Sequence, residues 1–370
     1  MKNVFGNSVT VTLAGESHGE AIVAVLDGLA PGLAVDADFI EARLLRRRPA
    51  DTLSTARREA DPLSIVSGVF EGKTTGTPLT IVIPNAETRS RDYEALRYLP
   101  RPGHADLTAS MKYEGFQDYR GGGHFSGRVT VALVAAGAIA ELALRERGIR
   151  IGTHIAALGG RVFDRAFTCY DADLTYLDDK AFPVLEEAKA EVMRQVIEEA
   201  RLDCDSVGGV LETAVIGVDG GYGEPWFDTV ESMLSHILFA IPAVKGVEFG
   251  DGFALAAMRG SEANDAFGIE NERTVTVTNR NGGINGGITN GMPILFRCAV
   301  KPTPSIAKIQ QTVDLMTGKE TELSVHGRHD PCIVHRAAAV VNACTALALL
   351  DLITLRDGNR RRDGDRWNTV

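Results

Sequence analysis

The sequence predicts an α+β fold in one domain. Short apolar runs with a two-residue period cluster near the N-terminus, and long helical periods follow them. Strands do not alternate strictly with helices, which disfavours a doubly wound parallel sheet. No linker, low-complexity tract or internal repeat divides the 370 residues. The expected boundaries are one domain over 1–356 and a polar, disordered tail over 357–370.

Val9 to Leu13 and Ala21 to Leu26 read as strands flanking a polar turn. Leu63 to Phe70 and Leu79 to Ile83 read as two more. Residues 84–128 are polar, glycine-rich and basic, without clean periodicity, and a stretch of that length inside a domain is usually functional. Val129 to Arg147 reads as a helix closed by Gly148. A strand over Ile151 to Leu158 follows. Val184 to Arg201 has amphipathic spacing, with Val184, Leu185, Val192 and Ile197 on the apolar side. Gly209 to Val218, Thr274 to Thr278 and Ile294 to Val300 read as strands, Thr229 to Ala240 as a helix, and Ile333 to Arg356 as a long apolar helix.

The formal charge of -10 disfavours a general nucleic-acid binder, whose surface would be basic. Five cysteines without CxxC spacing read as reduced thiols, and no metal-ligand spacing appears. Polar Gly15 to Glu20 stands where a signal peptide would need an apolar core. The longest apolar run, Val131 to Ala140, covers about ten residues, short of a membrane span. A cytoplasmic protein without membrane or nucleic-acid partners is expected.

Four segments carry candidate chemistry. In Gly15-Glu16-Ser17-His18-Gly19 the glycines allow a sharp turn that presents an imidazole. The competing reading is a polar turn histidine. The second segment holds Arg43, Arg46, Arg47, Arg48, Arg57 and Arg58, an island in an acidic chain. It suits a multiply charged anion, or else a solvated helix face paired with Glu41 and Glu59. The third runs from Arg101 to Arg128. Its Gly121-Gly122-Gly123 leads toward a helix N-terminus, where free N–H groups suit an anion. His104, His124 and Arg128 flank that run. The fourth joins Lys301-Pro302-Thr303-Pro304-Ser305 to Gly327-Arg328-His329-Asp330-Pro331, a rigid pair of turns that offers a lysine, hydroxyls and a carboxylate. His154, His236, His326 and His335 stand alone and read as structural. The inventory fits an anionic small molecule handled with a phosphorylated cofactor.

Taken in order, these segments resemble the chorismate synthase family over about Asn7 to Leu350. The resemblance rests on Gly15-Glu16-Ser17-His18-Gly19, Arg46-Arg47-Arg48-Pro49, Ser67 to Gly72, Arg101 to Asp106, Tyr119 to Gly123, Ala243 to Glu248, Lys301-Pro302-Thr303 and Gly327 to Cys332. It implies helices packed between antiparallel sheets and a lyase of the shikimate pathway of aromatic amino acid biosynthesis. The implied reaction is anti-1,4-elimination of phosphate from 5-enolpyruvylshikimate 3-phosphate (EPSP). The implied cofactor is reduced FMN, with NADPH as a candidate reductant, and the implied assembly is a homotetramer.

By the same resemblance His18, His104 and Asp330 are catalytic. Ser17, Arg47, Arg48 and Arg128 hold substrate. His124, Phe125, Ser126, Pro242, Ala243, Gly286, Lys301, Pro302, Thr303, Pro304, Ser305 and Arg328 contact flavin. The sequence departs from the usual family pattern at Leu53, His124, Phe125, Val129 and Pro242. A non-catalytic flavin- or phosphate-binding protein on the same scaffold is the rival reading, and the joint presence of His18, His104 and Asp330 argues against it.

Overall fold

A computed structural model describes residues 2–48, 61–85, 97–270, 272–325 and 330–358. Its helices are α1 (Ala37–Arg47), α2 (Asp106–Lys112), α3 (Thr130–Arg145), α4 (Tyr170–Leu177), α5 (Glu187–Leu202), α6 (Val230–Leu238), α7 (Gly260–Ala263) and α8 (Val334–Asp357).

Two five-stranded sheets organise the chain. The first runs Val4–Phe5, Thr10–Ala14, Ala21–Asp27, Leu79–Pro84, Ser64–Ser67 in spatial order; the second runs Val244–Phe249, Ile294–Val300, Gly209–Ile216, Arg150–Leu158, Val162–Phe163. Every strand pairing in both is antiparallel. In Ala21–Asp27 and Leu79–Pro84 burial alternates residue by residue, so one face of the first sheet points into the core. Helix α3 packs on that sheet, α8 packs on the second, and the two helices pack on each other. The helices are thus sandwiched between antiparallel sheets, the expected α+β architecture.

The crossing of α3 and α8 explains their small residues. A Cβ at Gly137 would lie 2.4 Å from the Ala343 Cβ, so the backbones approach too closely for a side chain there. Both helices are long and apolar enough to cross a membrane, contrary to the reading from the short run 131–140. Their apolar windows are 89% and 94% buried within the fold, which accounts for that composition without a bilayer.

Element ends shift from expectation for local reasons. Helix α5 begins at Glu187, after Pro183, and buries Ala190, Met193, Val196, Ile197 and Ala200. Val192 faces solvent instead. The irregular stretch before α3 contains α2 and two short turns, Arg120–Phe125 and Gly127–Val129. Helix α1, read earlier only as an arginine island, is capped by Asp36, whose side chain accepts from Phe39 N–H at 3.0 Å. Its buried face is Ile40, Arg43, Leu44 and Arg47. Two arginines on the inner face disguise the apolar period.

Away from the arginines, the second sheet buries an ionic triad. His154 is wholly buried, with Nδ1 3.0 Å from Asp164 and Nε2 3.0 Å from Glu212, its register partner. Burial opposes the imidazolium, but the two carboxylates outweigh it and raise His154 above 6.5. The Asp164 carboxyl lies below 3.8: burial opposes this, and His154 with the Leu185 and Glu186 N–H groups overcomes it. A raised histidine stabilises fully below its unfolded value and loses that contribution as pH rises through its folded value. A depressed carboxyl loses its contribution as pH falls. Wild type should therefore exceed His154→Gln most between about pH 4 and 6.5, with a gap that narrows on either side. Denaturant unfolding at a series of pH values checks this, and a gap independent of pH contradicts it.

Candidate active site

The turn between strands Thr10–Ala14 and Ala21–Asp27 carries Ser17 and His18. It folds against the glycine run: Ser17 N–H donates to Gly123 O at 3.1 Å. The Ser17 hydroxyl donates to Arg120 O at 3.0 Å and lies 3.0 Å from His18 Nδ1. A hydroxyl has one proton to give. It therefore accepts from His18, which fixes the neutral ring as the Nδ1–H tautomer and leaves Nε2 as the basic nitrogen. Gly121 has φ 59°, and a Cβ there would sit 2.3 Å from His18 Cε1. Gly122 has φ 84°, and its Cβ would come 3.1 Å from His104 Cε1. The glycines thus let backbone approach two imidazoles. They do not open α3, which starts seven residues beyond Gly123, so the expected anion cradle at a helix N-terminus is corrected.

His104 is set by its own loop. Arg101 grips Asp106 with Nε at 2.8 Å and Nη2 at 2.9 Å, and His104 Nδ1 lies 2.6 Å from Asp106 Oδ1. Burial works to raise the Asp106 carboxyl, yet bonds from Arg101 and His104 hold it well below the usual range. The ionised carboxylate accepts from Nδ1–H, and Nε2 is again the nitrogen left for other chemistry.

A cavity of about 750 Å³ opens beside these loops. His104, His124, Phe125, Ser126, Arg128, Pro242, Ala243, Lys301, Thr303, Pro304, Ser305, Asp330 and Arg47 line it. Phe5, Val11, Leu13, Leu133, Ile237, Ile241 and Val340 add apolar wall. Its size is at the upper end for small-molecule sites, and its wall pairs cations with an apolar surface. Lys301 donates to Gly103 O at 2.6 Å, and burial, with Lys245 nearby, depresses its ammonium. Thr303 donates to Asp330 O at 2.7 Å, and Arg101 donates to Ser305 Oγ at 3.2 Å. His124 Nδ1 donates to Gly15 O at 2.8 Å. Ala243 holds φ 73°, uncommon for a residue with a Cβ, while its carbonyl accepts from Lys301 N–H at 2.9 Å.

The arginine island divides. Arg43 binds Glu141 (2.9 and 2.7 Å) and Asp178 (2.7 Å), an internal ion network where the pairing reading prevails. Arg47 turns the other way, donating to Thr130 Oγ1 at 3.0 Å and Gly127 O at 3.2 Å. Arg48 Nη1 meets Glu41 at 2.7 Å.

Residues 9–354 match the family model described as chorismate synthase. The chain belongs to the chorismate synthase family. It is 47% identical over 359 residues to the chorismate synthase of Aeropyrum pernix, covering 96% of this chain and 94% of that protein. It is 45% identical over 353 residues to the chorismate synthase of Lachnospira eligens, covering 95% and 94%. A solved structure titled Crystal Structure of Chorismate Synthase superposes with a TM-score of 0.75 at 29% identity, covering 95% and 94%. As a chorismate synthase family member the chain is a lyase of the shikimate pathway.

Against that family assignment, most residues singled out in the sequence converge on one cavity. Ser17 and His18 stand behind the glycine run, off the wall, with His18 keeping 9% exposure. Pro302 follows Lys301 without joining the wall, and Arg48 lies behind Arg47. Gly286 sits apart, in the turn between Ile284–Asn285 and Ile288–Thr289. Its neighbour Gly287 abuts Thr229 at the start of α6, whereas Pro242 and Ala243 follow that helix's far end. Arg328, Leu53, Arg57, Arg58, His326 and His329 lie outside the described residues. His236, expected to be structural, lines the cavity and meets Phe5 edge-on at 5.3 Å.

Sequence reasoning missed Asp61, Asp106 and Arg336. Arg336 forms a close ion pair with Asp330 and donates from Nε to Arg47 O at 2.7 Å. A lone cation in the first turns of an apolar helix was the available signal. Asp61 offered none beyond its place after the arginines.

Proposed function

We propose that this cavity binds EPSP against reduced FMN and that the chain catalyses anti-1,4-elimination of phosphate to give chorismate, without net redox change. One observation carries the reading: a single cavity of about 750 Å³ joins Arg47, Arg128 and Lys301 to an apolar wall, with His104 and Asp330 on its rim of polar groups. A planar ring suits the apolar part, and phosphate and carboxylates suit the cations.

Reduced FMN, when bound, supplies transient electron density to the breaking C–O bond. Arg47 and Arg128 hold the substrate's anionic groups from the wall, and Arg48 joins them by family resemblance. His18, which the family resemblance assigns as the acid for the departing phosphate, stands behind the glycine run with Ser17 on its Nδ1. His104, with Asp106 holding its Nδ1, would offer Nε2 to a bound flavin and tune its charge. Asp330, steered by Arg336, assists proton removal from substrate. His124, Phe125, Ser126, Pro242, Ala243, Lys301 and Thr303 to Ser305, which line the cavity, would hold the flavin; Gly286, Pro302 and Arg328 are assigned there by family resemblance. The departures at His124 and Phe125 keep a ring on the wall and a bond to Gly15, which supports a working flavin site. Chorismate formation from EPSP and reduced FMN under anaerobic conditions tests the reading. Binding of both without turnover would favour a non-catalytic protein, and NADPH-dependent reduction of FMN by the chain alone tests self-reduction.

In this reading residues 1–356 act as one cytoplasmic domain, and four copies assemble. One apolar cluster continuous from the first sheet to the second supports the single domain. Exposed Phe253, Phe267, Ile269 and Val277, from 71% to 84% accessible, support self-association. Light scattering should report about four times 39.7 kDa, and an active monomer would contradict the assembly.

A further inference from the structure

We propose that Asp61 is a positioning residue, a buried counter-charge set behind the cavity wall that locks Arg47, Arg48 and Arg128 into one anion-binding cluster. This rests on the proposed use of those arginines to hold substrate anions. The Asp61 side chain is wholly buried. Arg47 Nη1 lies 3.7 Å from its Oδ2, Arg48 Nε lies 3.3 Å from the same oxygen, and Arg128 Nη1 closes on Oδ1 in a still tighter contact. Three guanidiniums from the end of α1 and the turn before α3 therefore meet one carboxylate.

Placement separates a backing charge from an occupant of the ligand site. Arg47 and Arg128 line the cavity and Asp61 does not. The Arg47 and Arg128 side chains therefore belong both to the wall and to the contacts of the buried carboxylate. Their other edges are fixed as well: Arg47 on Thr130 and Gly127, Arg48 on Glu41, and Arg128 Nε on Asn85 Oδ1 at 3.1 Å. Asp61 also holds φ 40°, a left-handed conformation uncommon for a residue with a Cβ. Its three-way ion contact offsets that strain. Without the carboxylate, three like charges packed in a buried site repel one another and lose their shared orientation.

The test compares wild type, Asp61→Asn and Asp61→Glu, with inorganic phosphate as probe in titration calorimetry and with EPSP kinetics. D61N should weaken phosphate binding at least about tenfold and raise the EPSP KM by a similar factor, with kcat much less affected. FMN affinity should stay at the wild-type level. D61E, which keeps the charge but moves it, should fall between the two and lose at least about threefold. Phosphate binding by D61N equal to or tighter than wild type overturns the proposal, because Asp61 would then be a spectator or a competitor. No measurable phosphate binding by wild type overturns it too. Should D61N fail to fold, D61E decides alone, and binding within twofold of wild type counts against the proposal. Absence of EPSP turnover by wild type would sink the functional reading, while the phosphate comparison would still decide the role of Asp61.

Discussion

Replacing His18 with alanine is expected to lower chorismate formation by about 10²- to 10⁴-fold, the range for loss of a general acid. The physical basis is the orientation of the ring. Ser17 Oγ lies 3.0 Å from Nδ1 and donates its own hydrogen bond to Arg120 O, so Nδ1 carries the hydrogen of the neutral ring and Nε2 is its basic nitrogen. Gly121 closes on the same Cε1–Nδ1 edge, where any side chain would strike the imidazole and the Ser17 hydroxyl. A ring held this firmly loses little freedom when it reacts. FMN affinity should stay near wild type, since the flavin contacts proposed above do not include His18. Turnover within about threefold of wild type would remove His18 from the mechanism. His18→Ala combined with Ser17→Ala should then cost little beyond His18→Ala alone, because residues acting as a unit are not additive.

The largest expected effect on stability falls at Asp351. This carboxylate is 1% exposed, deep in α8 among apolar neighbours. Its Oδ1 accepts from the N–H groups of Asn7 at 3.0 Å, Ser8 at 2.6 Å and Val9 at 2.9 Å. The bonds tie the last helix to the loop before strand Thr10–Ala14, across more than 340 positions of sequence. Asp351→Ala would leave the buried Val9 N–H and the less covered Asn7 and Ser8 N–H groups without this acceptor. A loss of about 3–5 kcal/mol is expected, the cost of breaking a buried charged interaction from one side. Asp351→Asn keeps one acceptor oxygen and should lose about half as much. Urea unfolding monitored by circular dichroism measures both variants. A change below about 1 kcal/mol in the alanine variant would show that water replaces the carboxylate.

The elements legible in the sequence were those whose burial is one-sided and apolar. Strand Ile294–Val300 matches its expected range, and α3, α6 and α8 fall within two residues of theirs, because alternating or helical apolar spacing maps directly onto a buried face. Helix α1 was hidden by Arg43 and Arg47 on its inner side. Strand Val244–Phe249 was hidden by Lys245, Gly246 and Glu248, which break any alternation. Most of the candidate site was legible for a different reason. Glycine-flanked histidines, an arginine island and proline-fixed turns are uncommon in an acidic chain, and their order carried the family resemblance.

The sequence by itself determined the α+β class, the order of the main strands and helices, and the set of imidazoles, guanidiniums and hydroxyls available for anion chemistry. Only the tertiary structure decided how that set is divided. Arg43 is drawn to Glu141 and Asp178, whereas Arg47, Arg48 and Arg128 gather at Asp61. His236 faces the cavity, while His154 is locked between two carboxylates. The physical reason is range. Apolar periodicity is written in neighbours along the chain, so it can be read locally. Charge pairing in a buried site depends on which groups the packed sheets and helices bring within a few ångströms, and those partners lie from 10 to 135 positions apart with no periodic trace.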